Sequence, residues 1–257
     1  MNVLLECTSL TVRFGGLTAL NGLDLSLKQG ETLGLIGPNG SGKTTFFNAL
    51  TGLYKLAAGR VRFDGREITG ATPQTVYDMG IARTFQRSRL CLALSVFDNL
   101  MIGNHRLLSL GLGFNLLRRR AFEQQLREHE ARARALLQSF HPSLPDRLYD
   151  PAGELGMIDR RRVEVCRALI GEPKLLLLDE PSAGMTHEET HELMEDILAT
   201  RTRQPGLSVI LIEHEMGVIE RVSHRCAVLN FGEKICEGSY ASVVSDPRVQ
   251  EAYLGVE

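Results

Sequence analysis

Gly37-Pro38-Asn39-Gly40-Ser41-Gly42-Lys43-Thr44 is the stretch on which the reading of this chain turns. It fits the pattern G-x-x-x-x-G-K-[ST], a loop that cradles phosphates. Its surroundings agree. Leu33-Gly34-Leu35-Ile36 before it reads as a short buried strand, and Thr45 to Leu50 after it reads as the first turns of a helix. Glycines let such a loop bend until successive backbone N–H groups point into one concavity. The helix N-terminus adds partial positive charge, Lys43 adds a full charge for the outer phosphates, and Thr44 offers a hydroxyl to Mg²⁺. A chance glycine-rich turn would not bring strand, loop, Lys-Thr and helix together in this order.

Outward from the loop, residues 3 to 27 read as strands, with Leu23, Leu25 and Leu27 alternating at the half-buried period. Residues 61–68 read as a hairpin turning at Asp64-Gly65. From about 91 to 158 the character becomes helical. Phe122, Leu126, Ala133, Leu136, Leu137 and Phe140 fall on one face of a long helix. Arg118-Arg119-Arg120 near its start reads as part of a solvated mixed-charge face rather than a docking patch. Pro142, Pro145 and Pro151 then break the pattern.

Two uninterrupted apolar runs follow. Leu175-Leu176-Leu177-Leu178 ends at Asp179-Glu180, and Val209-Ile210-Leu211-Ile212 ends at Glu213-His214. Such runs suit strands of a parallel sheet buried on both faces, where ligands sit beyond the carboxyl ends of the strands. Asp179, Glu180 and His214 are therefore expected beside the phosphate loop. Side chains alternate along a strand, so Asp179 is expected to face a metal ion and Glu180 an attacking water.

The bulk properties exclude several classes. With 257 residues, 43% of them hydrophobic, the chain can bury a sizeable core. Its 29 basic and 31 acidic residues nearly cancel, which argues against a nucleic-acid or anionic-membrane binder acting through net charge. The five cysteines form no C-x-x-C pair and read as reduced thiols. Nothing in residues 1–6 reads as a signal peptide. The uncharged stretch Leu107 to Leu117 is too short to span a bilayer, which takes about 20 apolar residues.

Taken together, the motifs resemble the ATP-binding subunit of ABC transporters, and the resemblance covers essentially the whole chain. It implies one ATP-binding domain over 1–257, an α/β fold. This has a P-loop, RecA-like core with a parallel sheet and an antiparallel β subdomain (1–90 and 159–257), and an inserted helical subdomain (91–158). It implies ATP and Mg²⁺ as ligands. Gly37, Pro38, Asn39, Gly40, Ser41, Gly42, Lys43, Thr44 and Thr45 would bind the phosphates. Phe14, in Val12-Arg13-Phe14-Gly15-Gly16, matches the aromatic that stacks on adenine. Gln86, in Arg83-Thr84-Phe85-Gln86, matches the Q-loop glutamine that senses Mg²⁺ and γ-phosphate. Thr44, Gln86 and Asp179 would serve the metal, and Lys43, Glu180 and His214 would be catalytic. Ser182-Ala183-Gly184-Met185 matches the D-loop.

Within the family, several segments are similar to importers of branched-chain amino acids. They are 14–17, 82–86, 183–185, Ile212-Glu213-His214-Glu215-Met216 and Ala252-Tyr253-Leu254-Gly255. The implied partners are integral membrane permease subunits and a second ATP-binding subunit, the same or different, with the chain peripheral at the cytoplasmic face of the membrane.

One segment departs from the pattern. The family signature, Leu-Ser-Gly-Gly-Gln, is matched here by Leu155-Gly156-Met157-Ile158-Asp159. Gly156 lacks the hydroxyl that would donate to a phosphate. Ile158 puts a β-branched side chain where a backbone must approach closely. Asp159 adds negative charge that favours a helix start and repels phosphate. The expectation is an asymmetric pair, in which this chain's own loop works and the ATP capped by its signature is held weakly. A regulatory or weakly active ATP-binding module is the alternative.

His187-Glu188-Glu189-Thr190-His191 also spells H-E-x-x-H, a zinc-protease pattern. Thr186 as a helix N-cap with acids in the first turn explains the same letters. A soluble ABC ATPase for translation or repair is a further rival. Those usually carry two cassettes in one chain or a long coiled-coil insert, whereas here one cassette fits and only 68 residues lie between Gln86 and Leu155.

Overall fold

A computed structural model describes residues 2–107 and 119–254. Most of Leu107 to Leu117, Arg118 of the arginine run and Gly255 lie outside the described residues.

The described chain divides into two compact units. The first runs to Arg83, takes in Lys174–Glu180 and resumes at Pro205; the second comprises Thr84–Pro173 and Pro181–Gln204.

In the first unit, the long strands β1 (Val3–Phe14) and β2 (Leu17–Lys28) pair antiparallel, and β4 (Ala58–Phe63) and β5 (Arg66–Glu67) extend them into a sheet ordered β2-β1-β4-β5. The hairpin turns at Asp64-Gly65 with Phe63 opposite Arg66. The second sheet holds β3 (Thr32–Ile36), β6 (Ile81–Arg83), β7 (Leu175–Asp179), β8 (Ser208–Ile212), β9 (Arg225–Asn230) and β10 (Glu233–Gly238), ordered β10-β9-β3-β8-β7-β6. Its pairs are parallel except β9 with β10. Every residue of β3, β7 and β8 is buried, as apolar runs covered on both faces require.

Helix α1 (Lys43–Leu50) follows β3 through the phosphate loop. It packs Phe46, Phe47 and Leu50 into a core shared with Leu5, Leu20, Leu33, Leu177 and Ile210 of the two sheets. The short α2 (Pro73–Asp78) begins at an N-cap Thr72.

The second unit is helical. It contains α3 (Val96–Ile102), α4 (Arg119–Phe140), α5 (Met157–Leu169) and α6 (His187–Arg203). It starts before residue 91 and includes α5 and α6, so its limits differ from the expected 91–158. The reason is packing: α5 contacts α3, α4 and α6, and Arg162 of α5 is held by Glu192 and Asp196 of α6.

The expected apolar face of α4 is buried only at Ala133, Leu137 and Phe140, joined by His129; Phe122 and Leu126 are exposed. Periodicity marks which side of a helix is apolar, not how far along it a partner extends. Among the described residues the remaining α-helices, α7 (Met216–Val222), α8 (Tyr240–Val244) and α9 (Pro247–Leu254), belong to the first unit.

Candidate nucleotide site

Loop geometry follows from close packing. Gly37 has φ +144°, and a Cβ there would stand 2.1 Å from the Leu229 carbonyl oxygen. Gly42 has φ +106° and a Cβ would stand 2.8 Å from the Ala19 oxygen. Only glycine satisfies both the backbone angle and the space. Gly42 is the N-cap of α1 and supplies no side-chain cap, and α1 has no acid in its first turn. The helix start is thus left for an external anion. Asn39 to Thr45 line a cavity of about 230 Å³ together with Glu180.

Lys43 is buried, and its Nζ donates to the carbonyl oxygens of Gly37 at 2.6 Å and Pro38 at 2.9 Å. Burial pulls its pKa below the usual lysine range, opposed by the charges of Glu180 and Asp179. Tyr253, on α9, lines a neighbouring cavity with Ile36, the last residue of β3.

Parallel register brings the acids to the loop. Asp179 pairs with Ile212 in the β7–β8 ladder, and the Glu180 N–H donates to the Ile212 carbonyl at 2.9 Å. Glu180 and His214 therefore leave adjacent strands at one level, and His214 Nε2 lies 2.9 Å from Glu180 Oε1. Glu180 has φ +47°, an uncommon backbone for a non-glycine residue. That places its carboxylate on the cavity wall while Asp179 stays 2% exposed.

Burial raises the Asp179 pKa, against the lowering effect of its hydrogen bond with Arg83. The Arg83–Asp179 contact is 2.6 Å. Arg83 was not assigned a role from sequence. The available signal was a cation ending the apolar strand Ile81-Ala82-Arg83, which demands a buried acid.

Phe14 lies at the end of β1, 45% exposed, with its ring edge-on to Tyr54 at 5.0 Å between centroids. Carbonyl, hydroxyl and carboxylate oxygens suit Mg²⁺. Thr44 and Asp179 offer that donor set, and the cationic loop suits a triphosphate.

Gln86 and the signature segment lie in the second unit. Gln86 is exposed, and its carbonyl accepts from Arg161 at 2.9 Å; Arg161 also reaches the Ala183 carbonyl at 3.3 Å. Gly156 is the N-cap of α5, again without a side-chain bond. Met157 is exposed and Ile158 half-buried. Asp159 differs from expectation: its charge is offset by Arg162 at 3.1 Å, so it acts as an arm of a buried arginine cluster with Glu192 and Asp196.

His187 and His191 are exposed on α6, whose start is a capping box of Thr186 and Glu189. Among the described residues, no group of three His, Cys, Asp or Glu side chains is placed to hold a metal.

Known proteins resemble this chain along its length. A family profile described as ABC transporter matches residues 20–183, and one described as branched-chain amino acid ATP-binding cassette transporter matches residues 233–257. The high-affinity branched-chain amino acid transport ATP-binding protein LivG of Salmonella typhimurium is 38% identical over 252 residues, 98% of each chain. BraF of Pseudomonas aeruginosa, of the same description, is 36% identical with the same coverage. A solved ATP-binding cassette of an ABC transporter in its ADP conformation superposes with a TM-score of 0.84 at 30% identity, covering 99% of this chain and 100% of that one. The chain belongs to the ABC transporter family, as one of its ATP-binding, ATP-hydrolysing cassettes.

Proposed function

We propose that this chain energises a membrane importer for branched-chain amino acids or related solutes. It would do so as a single ATP-binding domain, peripheral at the cytoplasmic face, working with permease subunits and a second cassette. Full-length similarity to branched-chain amino acid transport ATP-binding proteins supports the solute class. No described helix is long and apolar enough to cross a membrane, so the passage itself would belong to other subunits.

The observation that carries the chemistry is the 2.9 Å contact of Glu180 with His214 on the wall of the phosphate-loop cavity. Loop N–H groups and Lys43 would bind the phosphates, Lys43 exchanging its bonds to the Gly37 and Pro38 carbonyls for phosphate oxygens. Thr44 and Asp179 would hold Mg²⁺, which would supply charge neutralisation across the phosphates; Gln86, in the second unit, would keep the metal-sensing role that the family resemblance implies. Glu180 would orient a water and take its proton. His214, held by Glu180, would face the terminal phosphate. Phe14 would stack on adenine. Such catalysis is mostly positioning and electrostatics.

The signature segment Leu155 to Asp159 would cap the ATP of a second cassette poorly. Hydrolysis would then be concentrated at this chain's own loop, completed by a partner with an intact signature.

The test is Glu180→Gln in the purified complex. Turnover should fall about 10²–10⁴-fold with ATP still bound. Survival of most activity would mean that this chain does not own the working site. Identification of the co-purifying membrane proteins tests the importer reading.

A further inference from the structure

Arg83 is buried at the end of the edge strand β6, with 6% of its side chain exposed. A guanidinium in that position costs several kcal/mol unless its donors are met. Both of its Nη groups are met by groups of two other elements. Nη2 donates to Asp179 Oδ2 at 2.6 Å, and Nη1 donates to Asn48 Oδ1, on α1, at 2.6 Å. The guanidinium carbon stands 5.3 Å from the centroid of the Phe47 ring, also on α1. Two donors of one rigid plane are therefore anchored at once, and the plane rests on an aromatic ring. A lysine could satisfy the charge but not both directions.

We propose that Arg83 is a positioning residue: it fixes the plane of the Asp179 carboxylate and ties it to the helix that carries Lys43 and Thr44. With Oδ2 engaged by a short charge-assisted bond, the orientation of the group toward a metal ion is set by the Arg83 plane. Asn48 and Phe47 set that plane in turn. The donor oxygens of Thr44 and Asp179, on separate elements, are thereby held in one register. This inference rests on the reading of the cavity as an ATP and Mg²⁺ site.

The experiment measures binding of a fluorescent ATP analogue to the full chain while Mg²⁺ is titrated, in wild type, Arg83→Lys and Asn48→Ala. Arg83→Lys is expected to raise the half-saturating Mg²⁺ concentration about ten- to hundredfold, the usual effect of removing a partner that orients a metal ligand. Its affinity for the metal-free nucleotide should stay at the wild-type value. Asn48→Ala keeps the ion pair and removes one anchor, so it should shift the titration less, in the same direction. It decides the matter alone if Arg83→Lys does not fold.

Wild-type metal dependence in the folded variants would overturn the proposal. So would a parallel loss of metal-free affinity, because Arg83 would then be a structural strut. A wild-type chain with no Mg²⁺-dependent nucleotide binding would instead overturn the reading of the cavity itself.

Discussion

Helices α1 and α5 both begin at a glycine, left-handed Gly42 in one and extended Gly156 in the other, and put that start to different uses. Each starts at a glycine N-cap that contributes no side-chain bond. At α1 the first turn carries no acid and opens with Lys43, so the positive helix end faces a cavity. At α5 the first turn carries Asp159, and its charge is taken up by Arg162 inside the protein. An exposed helix start is thus only a capacity for binding anions. The residues of the first turn decide whether that capacity is offered outward or absorbed by the fold. In this chain the start of α1 is left without an acid beside its cavity, and the start of α5 has its first-turn acid paired within the fold.

The comparison can be broken at several points. Lys43→Ala should lower ATP turnover of the complex by about 10³-fold, the scale expected when a donor to developing phosphate charge is removed; unchanged nucleotide affinity and turnover in that variant would refute the loop site. Arg162→Met should destabilise the chain by roughly 3 kcal/mol, because it strands carboxylates that the arginine now compensates. Denaturant unfolding measures that loss, and nucleotide binding by the folded fraction should be untouched. Gly156→Ser combined with Ile158→Gly should raise hydrolysis at the partner's ATP by about tenfold, since it restores a donor and a close backbone approach. Single-turnover assays with the partner's own loop as the sole working site read this directly.

The smallest effect concerns pH. His129 of α4 is buried, bonded to Asn104 at 2.9 Å, and burial together with Arg132 holds its pKa below the ordinary histidine value, with Glu128 opposing. The folded state therefore takes up this proton less readily than the unfolded chain. The stability contributed is present above the ordinary value and is lost as pH falls toward the folded value. Thermal melts should show a shallower decline between pH 7 and 5 in His129→Gln than in wild type.

How much of this was visible in the sequence depends on range. The phosphate loop, its flanking strand and helix, and the Asp64-Gly65 hairpin are encoded within a few residues, and each formed as read. The apolar runs ending at Asp179 and Ile212 announced buried parallel strands, and the strand ends brought Glu180 to His214. What escaped was side-chain pairing across long separations. Arg83 meets Asp179 across 96 residues, and no local pattern specifies a partner at that distance. Asp159 escaped for the same reason: read alone it is a negative charge at a helix start, and only the fold supplies Arg162 with two further acids from α6. Phe122 and Leu126 share the apolar face of α4 with Leu137 yet are exposed, because periodicity reports direction, whereas burial also needs a neighbour.

Tyr253, on the last described helix, lines a cavity together with Ile36, the residue just before the phosphate loop. A chimera that exchanged everything after Gly238 with a relative would import a foreign wall for that cavity along with the foreign helices. The packing behind the loop would then follow the parent that donated this tail, although none of the exchanged residues belongs to the loop motif.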